Sequence, residues 1–150
     1  MATFSLEEKI LKVNKKNFKY VQKGKGQLVL MIHGWPENCN SWLNQISFIS
    51  KLGYKAVAIN VRGYADSYSP HTIQSYKLKF FMEDIIDVIN YFNKENAILV
   101  GHDWGAPICW TTAAYYKEKI TAVIGLSVPF TKRGKISSTK LWQKLYKNIF

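Results

Sequence analysis

Val100-Gly101-His102-Asp103-Trp104-Gly105-Ala106-Pro107 is the stretch that decides the reading of this chain. An apolar run at 97–100 leads into it, and a run with helical character at 106–116 leads out. A carboxylate stands at the apex, with Gly101 and Gly105 to either side of it. That is the pattern of a nucleophile elbow, a sharp strand-to-helix turn that lifts one reactive side chain above a sheet edge. The glycines have a steric job. The apex backbone favours positive φ, and side chains at the flanks would strike the neighbouring elements. Most such turns carry serine; here Asp103 is the candidate, which narrows the chemistry to that of a carboxylate.

Working outward, the runs 28–32 and 56–61 are continuously apolar, as strands buried on both faces are. Residues 18–21 alternate apolar and polar, like a half-buried strand. Lys23-Gly24-Lys25-Gly26 reads as a turn. Trp42, Ile46 and Ile49 recur at helical spacing, with Gly53 closing that helix. Leu78, Phe81, Ile85, Ile89 and Phe92 form the apolar stripe of a long amphipathic helix. Residues 120–126 read as a further buried strand, stopped by Pro129. Buried strands alternating with helices predict an α/β fold: a mostly parallel sheet with right-handed crossovers and helices on both faces. Sites in such sheets lie at the carboxyl ends of the strands. The polar loops 33–37, 62–67 and 102–107 each follow a strand, so they are expected on one rim.

Composition bounds the function classes. The chain has 150 residues and a formal net charge of +11. Its lysines are dispersed, and no nucleic-acid motif accompanies them, so neither nucleic acid nor a membrane is expected as partner. Cys39 and Cys109 are too few for a disulfide framework and fit a reducing compartment. The N-terminus has no basic and apolar signal pattern, and no apolar run reaches the length of a membrane span. A cytoplasmic protein without cofactor or metal is the expectation.

The individual loops are each ambiguous. His33-Gly34-Trp35-Pro36 is either a plain turn or a loop whose backbone N–H groups face a pocket, as an oxyanion hole requires. Its X-Pro bond is a candidate for cis. Asp103 is either a nucleophile or a helix N-cap. The Trp35 and Trp104 side chains suit a pocket wall or the core equally well. The specificity comes from the combination, in this order, each loop at the end of a strand.

With those loops in hand, the chain resembles the α/β-hydrolases, and within them the soluble epoxide hydrolases. The resemblance rests on His33-Gly34-Trp35-Pro36-Glu37, Arg62-Gly63-Tyr64-Ala65-Asp66-Ser67, Gly101-His102-Asp103-Trp104-Gly105-Ala106 and Ser127-Val128-Pro129-Phe130. Ala65 stands where that family usually has glycine. The resemblance implies that Asp103 attacks an epoxide carbon to form an alkyl-enzyme ester, which water then opens to a diol. A carboxylate is ionised at neutral pH and needs no base for that first attack. The backbone N–H groups of Trp35 and Trp104 would hold the oxyanion, and the helix after the elbow adds its positive end. His33, Gly34, Pro36, Gly101, His102 and Gly105 build the motif. The substrate would be a small apolar epoxide. His102 points away from the target of an elbow and is expected to pack or hydrogen-bond rather than act as base. His33 is expected to fix its loop, His71 has no assigned role, and Glu37 and Asp66 orient loops, face solvent or line the pocket.

The resemblance also implies a later histidine with an acidic partner, and tyrosines of a lid. No histidine follows His102. The expectation is an α/β-hydrolase core over 1–132, with the start of a lid at 133–150, truncated before the lid and the C-terminal strands. Leu141, Leu145 and Ile149 stripe a helix there, capped by Ser138 or Thr139. The strand at 120–126 would then be an uncovered edge, and this chain alone would not turn over. Two other readings stay open: a haloalkane or haloacid dehalogenase-like hydrolase, with Trp104 holding halide, and a non-catalytic binding protein built on the fold.

Overall fold

The computed structural model describes residues 6–130. The chain enters through a hairpin of β1 (Lys9–Val13) and β2 (Lys16–Lys23). Asn14 and Lys15 both take positive φ, 48° and 61°, the conformation of a two-residue hairpin turn that matches strand twist. The sequence reading located β2 only in part and missed β1. In β1 only Leu11 is buried, so there is little apolar signal to see.

The remaining strands are β3 (Leu28–Ile32), β4 (Lys55–Ile59), β5 (Ala97–His102) and β6 (Ile120–Leu126). They form one six-stranded sheet in the order β1-β2-β4-β3-β5-β6. β3 to β6 run parallel, and the hairpin joins antiparallel through β2 and β4. Register fixes where the loops emerge. Ile32 lies opposite both Ile59 and Gly101, so the loops after β3, β4 and β5 leave the sheet at one level.

Alternation along the strands divides the core. Leu28, Leu30, Ile32, Val57, Ile59 and Leu99 pack with Ile85 and Ile89 of α2 (Leu78–Tyr91) and Ile108 and Cys109 of α3 (Gly105–Tyr115). Val29, Met31, Ala56, Ala58 and Val100 face the other way, against Ile46 and Ile49 of α1 (Leu43–Lys51). Helices therefore cover both faces. α1 closes two residues before Gly53, whose φ is +86°.

β6 departs from the buried-strand expectation. It pairs with β5 on one side and, among the described residues, with no strand on the other. Ile124 is 52% exposed and Leu126 44%. Its apolar composition reflects a strand with uncovered faces, as the alternative edge reading anticipated. The candidate lid segment from 133 and its helix near Ser138 and Thr139 lie outside the described residues, so the boundary at 132 stays an expectation.

One buried ionic cluster ties the hairpin, the loop after β4 and α2 together. Arg62 Nε and an Arg62 terminal nitrogen bond the two oxygens of Asp84 at 2.6 and 2.7 Å. The other terminal nitrogen of Arg62 donates to the Ser75 carbonyl, and the one that meets Asp84 also donates to the Phe80 carbonyl. Lys16 Nζ meets Asp84 and Asp87, each at 2.6 Å. Arg62 and Asp84 are nearly inaccessible, with side chains 3% and 4% exposed. Removing one member of a buried pair strands the other charge. Asp84→Ala is expected to lower the unfolding free energy by about 3–5 kcal/mol in urea denaturation, and a loss under about 1 kcal/mol would contradict a buried, uncompensated Arg62.

Candidate functional site

The elbow is a crowded junction that tolerates no extra carbon. β5 ends at His102, Asp103 takes φ of 49°, and α3 begins two residues later. A Cβ on Gly101 would sit 2.6 Å from Ala106 N, and one on Gly105 would sit 2.7 Å from Ile32 C and 2.9 Å from His33 O. A Cβ on Gly34 would lie 2.6 Å from Asp103 Oδ1. These three glycines let the ends of β3 and β5 and the start of α3 touch backbone to backbone. The apex is fixed from both sides. The Asp103 N–H donates to Leu126 O at 3.2 Å, and the Ala106 N–H donates to Asp103 O at 3.1 Å.

The half-buried Asp103 carboxylate reaches across to the loop after β3. Its Oδ1 accepts the Trp35 N–H at 3.0 Å, a bond between residues 68 apart in sequence. The carboxylate does not cap α3, whose cap position is Trp104. The loop after β3 turns tightly: the Glu37 N–H donates to Gly34 O at 3.0 Å, and the Trp35–Pro36 bond is cis.

The loops named by the sequence do gather on one rim. His33, 1% exposed, contacts Gly34 O through Nδ1 at 2.8 Å and accepts the Val61 N–H on Nε2 at 3.2 Å. A ring nitrogen that accepts carries no proton, so the proton sits on Nδ1. Burial holds the His33 pKa below its ordinary value, and the Gly34 bond offsets that in part. The ring stands edge-on to Tyr64, centroids 4.6 Å apart, which ties in the loop after β4. His102 Nδ1 pairs with Glu37 Oε2 at 3.0 Å, a second link between the first and third loops. His33 and His102 are both hydrogen-bonded within the rim, and Glu37 pairs with His102.

Other sequence candidates fall elsewhere. Asp66 is exposed and pairs with Lys19 at 3.2 Å, away from Asp103. Ala65 has φ of 41°, which explains why glycine suits that position. Trp35 is 67% exposed and Trp104 42%, so neither side chain is core. His71 is exposed. The sequence reading missed the Arg62–Asp84 pair; its one signal was an acidic residue set beside Ile85 in the apolar stripe of α2. The Leu126 carbonyl that holds the apex is backbone and leaves no sequence trace. Among the described residues, no three His, Cys, Asp or Glu side chains converge on a point that would hold a metal.

Residues 27–149 match the family model described as alpha/beta hydrolase fold. Epoxide hydrolase B of Mycobacterium tuberculosis is 41% identical over 111 residues, which is 74% of this chain and 31% of that protein. Bifunctional epoxide hydrolase 2 of Sus scrofa is 34% identical over 74% of this chain and 20% of its own length. The crystal structure of an epoxide hydrolase from Vigna radiata superposes with a TM-score of 0.85 at 38% identity, covering 95% of this chain and 47% of the other. The chain therefore spans about a third or less of these two curated relatives and under half of that structure.

Because burial lowers the folded-state pKa of His33 below the 6.5 of an ordinary histidine, the unfolded chain binds this proton more readily. Its contribution is complete above 6.5 and is lost as pH falls below that value toward the lowered one. The unfolding free energy is expected to drop between about pH 7 and about pH 5.5, and His33→Gln is expected to flatten that slope. Urea denaturation at the two pH values checks it, and an unchanged slope in the variant would count against a neutral, buried His33.

Proposed function

The chain belongs to the alpha/beta hydrolase fold family, and from that premise we propose that it carries the nucleophilic half of an epoxide hydrolase, with Asp103 as nucleophile. The observation that supports this most is the bond across the two loops: Asp103 Oδ1 accepts the Trp35 N–H at 3.0 Å. In this reading Oδ2 is the attacking oxygen. Oδ2 attacks an epoxide carbon, forming the ester C–O bond as the ring C–O bond breaks. The ring oxygen takes a proton from solvent water and becomes a hydroxyl. Water then adds to Cγ with loss of a proton back to solvent, and negative charge gathers on Oδ1, already within reach of the Trp35 N–H. The backbone N–H of Trp104, the residue after the apex, is the second oxyanion donor in this reading. The first turn of α3 adds a favourable partial charge for both the carboxylate and the oxyanion. Collapse releases the diol and restores the carboxylate.

His33, Gly34, Pro36, Gly101, His102 and Gly105 shape this arrangement rather than react. His33 and His102 already have partners in Gly34, Val61 and Glu37, and among the described residues no histidine ring is hydrogen-bonded to Asp103. Activation of the hydrolytic water therefore has no agent among the described residues. The relatives and structures above are named as epoxide hydrolases, which favours opening of a strained ring over halide displacement or ligand binding without chemistry. The substrate is a small apolar epoxide, approached between the exposed indoles of Trp35 and Trp104. Among the described residues no helix is long and apolar enough to cross a membrane. Cys39 and Cys109 are unpaired and buried, which suits a cytoplasmic setting.

Incubation of the 150-residue chain with styrene oxide is expected to add one substrate mass at Asp103, seen by intact-mass and peptide mass spectrometry, with no continuing diol release. Asp103→Ala is expected to abolish the adduct. An adduct on another residue would remove Asp103 from its role, and steady diol production by this chain would overturn the block at the ester.

A further inference from the structure

The bond that holds the carboxylate is itself held from behind. The Trp35 N–H belongs to the same planar peptide as the Gly34 carbonyl, and across a trans peptide those groups point in opposite directions. The cis bond of this loop is the following one, Trp35–Pro36. The N–H faces Asp103 Oδ1 at 3.0 Å. On the far side, Gly34 O is contacted by His33 Nδ1 at 2.8 Å and by the Glu37 N–H at 3.0 Å. Turning the plane so that the N–H leaves Asp103 would swing the carbonyl away from both donors.

His33 is built to act as one of those donors. The Val61 N–H occupies Nε2 at 3.2 Å, which puts the ring proton on Nδ1, facing Gly34 O. The ring is 1% exposed and packed edge-on to Tyr64, so it has no room to swing out. We propose that His33 is a positioning residue for the site: by gripping the Gly34 carbonyl it aims the Trp35 N–H of the same peptide at Asp103. Val61 supplies the tautomer, so the segment after β4 is coupled to the carboxylate that follows β5 through one ring and one peptide plane. The catalytic consequence rests on Asp103 being the nucleophile; the positioning itself does not.

Two substitutions separate the ring's nitrogens. The amide of His33→Asn reaches the place of Nδ1, so it keeps a donor for Gly34 O. The amide of His33→Gln reaches the place of Nε2 and leaves Gly34 O without that donor. Trp35 amide hydrogen exchange is read by nitrogen-15 NMR, with the Leu30 and Leu99 amides as fold controls, beside the rate of styrene oxide adduct formation. In His33→Gln, Trp35 exchange is expected to quicken and adduct formation to slow by about tenfold each, the effect of one neutral hydrogen bond. The Leu30 and Leu99 amides should stay protected, and His33→Asn should recover most of both losses. Trp35 exchange within about twofold of the unsubstituted chain in a folded His33→Gln variant would overturn the proposal. So would equal losses in the two variants. If neither variant folds, the ring nitrogen shifts of the unsubstituted chain at about pH 7 decide, since an Nε2–H tautomer rules the mechanism out. No adduct on the unsubstituted chain, with Trp35 exchange still following His33, would sink the functional reading and leave the positioning intact.

Discussion

The hydrogen bond from the Trp35 N–H to Asp103 Oδ1, at 3.0 Å, is the contact between loops on which this site depends. It exists because the sheet register brings Ile32 opposite Gly101, so the loops after β3 and β5 leave the sheet at the same height. It also exists because Gly34, Gly101 and Gly105 leave no side chain in the junction. Elsewhere a glycine in an element costs about 0.5–1 kcal/mol relative to alanine. Here an alanine would force backbone atoms apart, and the contact would be lost. The carboxylate that results is held through Oδ1 by the loop after β3.

Much of this was legible in the chain. The apolar runs at 28–32 and 97–100 coincide with or fall inside observed strands, and the glycine spacing around Asp103 marks the tight turn between β5 and α3. The convergence of the 33–37, 62–67 and 102–107 loops followed from alternation of strands and helices alone. Other features were not legible, for physical reasons. β1 buries only Leu11, so its pattern is too weak to mark a strand. Arg62 read as a polar loop residue. Its guanidinium is buried against Asp84 and beside the rings of Tyr68, Phe80 and Phe81, a setting fixed by tertiary contact.

The charge of the chain also takes on a more specific meaning. Lys16 and Lys19, which look like two of many dispersed lysines, are ion-paired to Asp84, Asp87, Glu8 and Asp66. The first of these clusters joins the hairpin to α2 and, through Arg62, to the loop that begins beside Val61. Val61 in turn bonds His33. The hairpin edge is thus connected to the elbow region by the Lys16–Asp84–Arg62 ion pairs at 2.6–2.7 Å, the chain link from Arg62 to Val61, and the Val61–His33 hydrogen bond at 3.2 Å. The Glu37–His102 pair is the more exposed companion to this system, with side chains 36% and 33% accessible.

The proposed function requires that Trp35 hold one oxygen of Asp103 while the other reacts. A crystal structure of the chain after exposure to an epoxide tests it directly. The account predicts continuous density from the outer carboxylate oxygen of Asp103 to a substrate carbon, with the ester carbonyl oxygen still facing the Trp35 N–H. An ester formed through the oxygen that faces Trp35, or an Asp103 that is unmodified while another side chain carries the alkyl group, would contradict it.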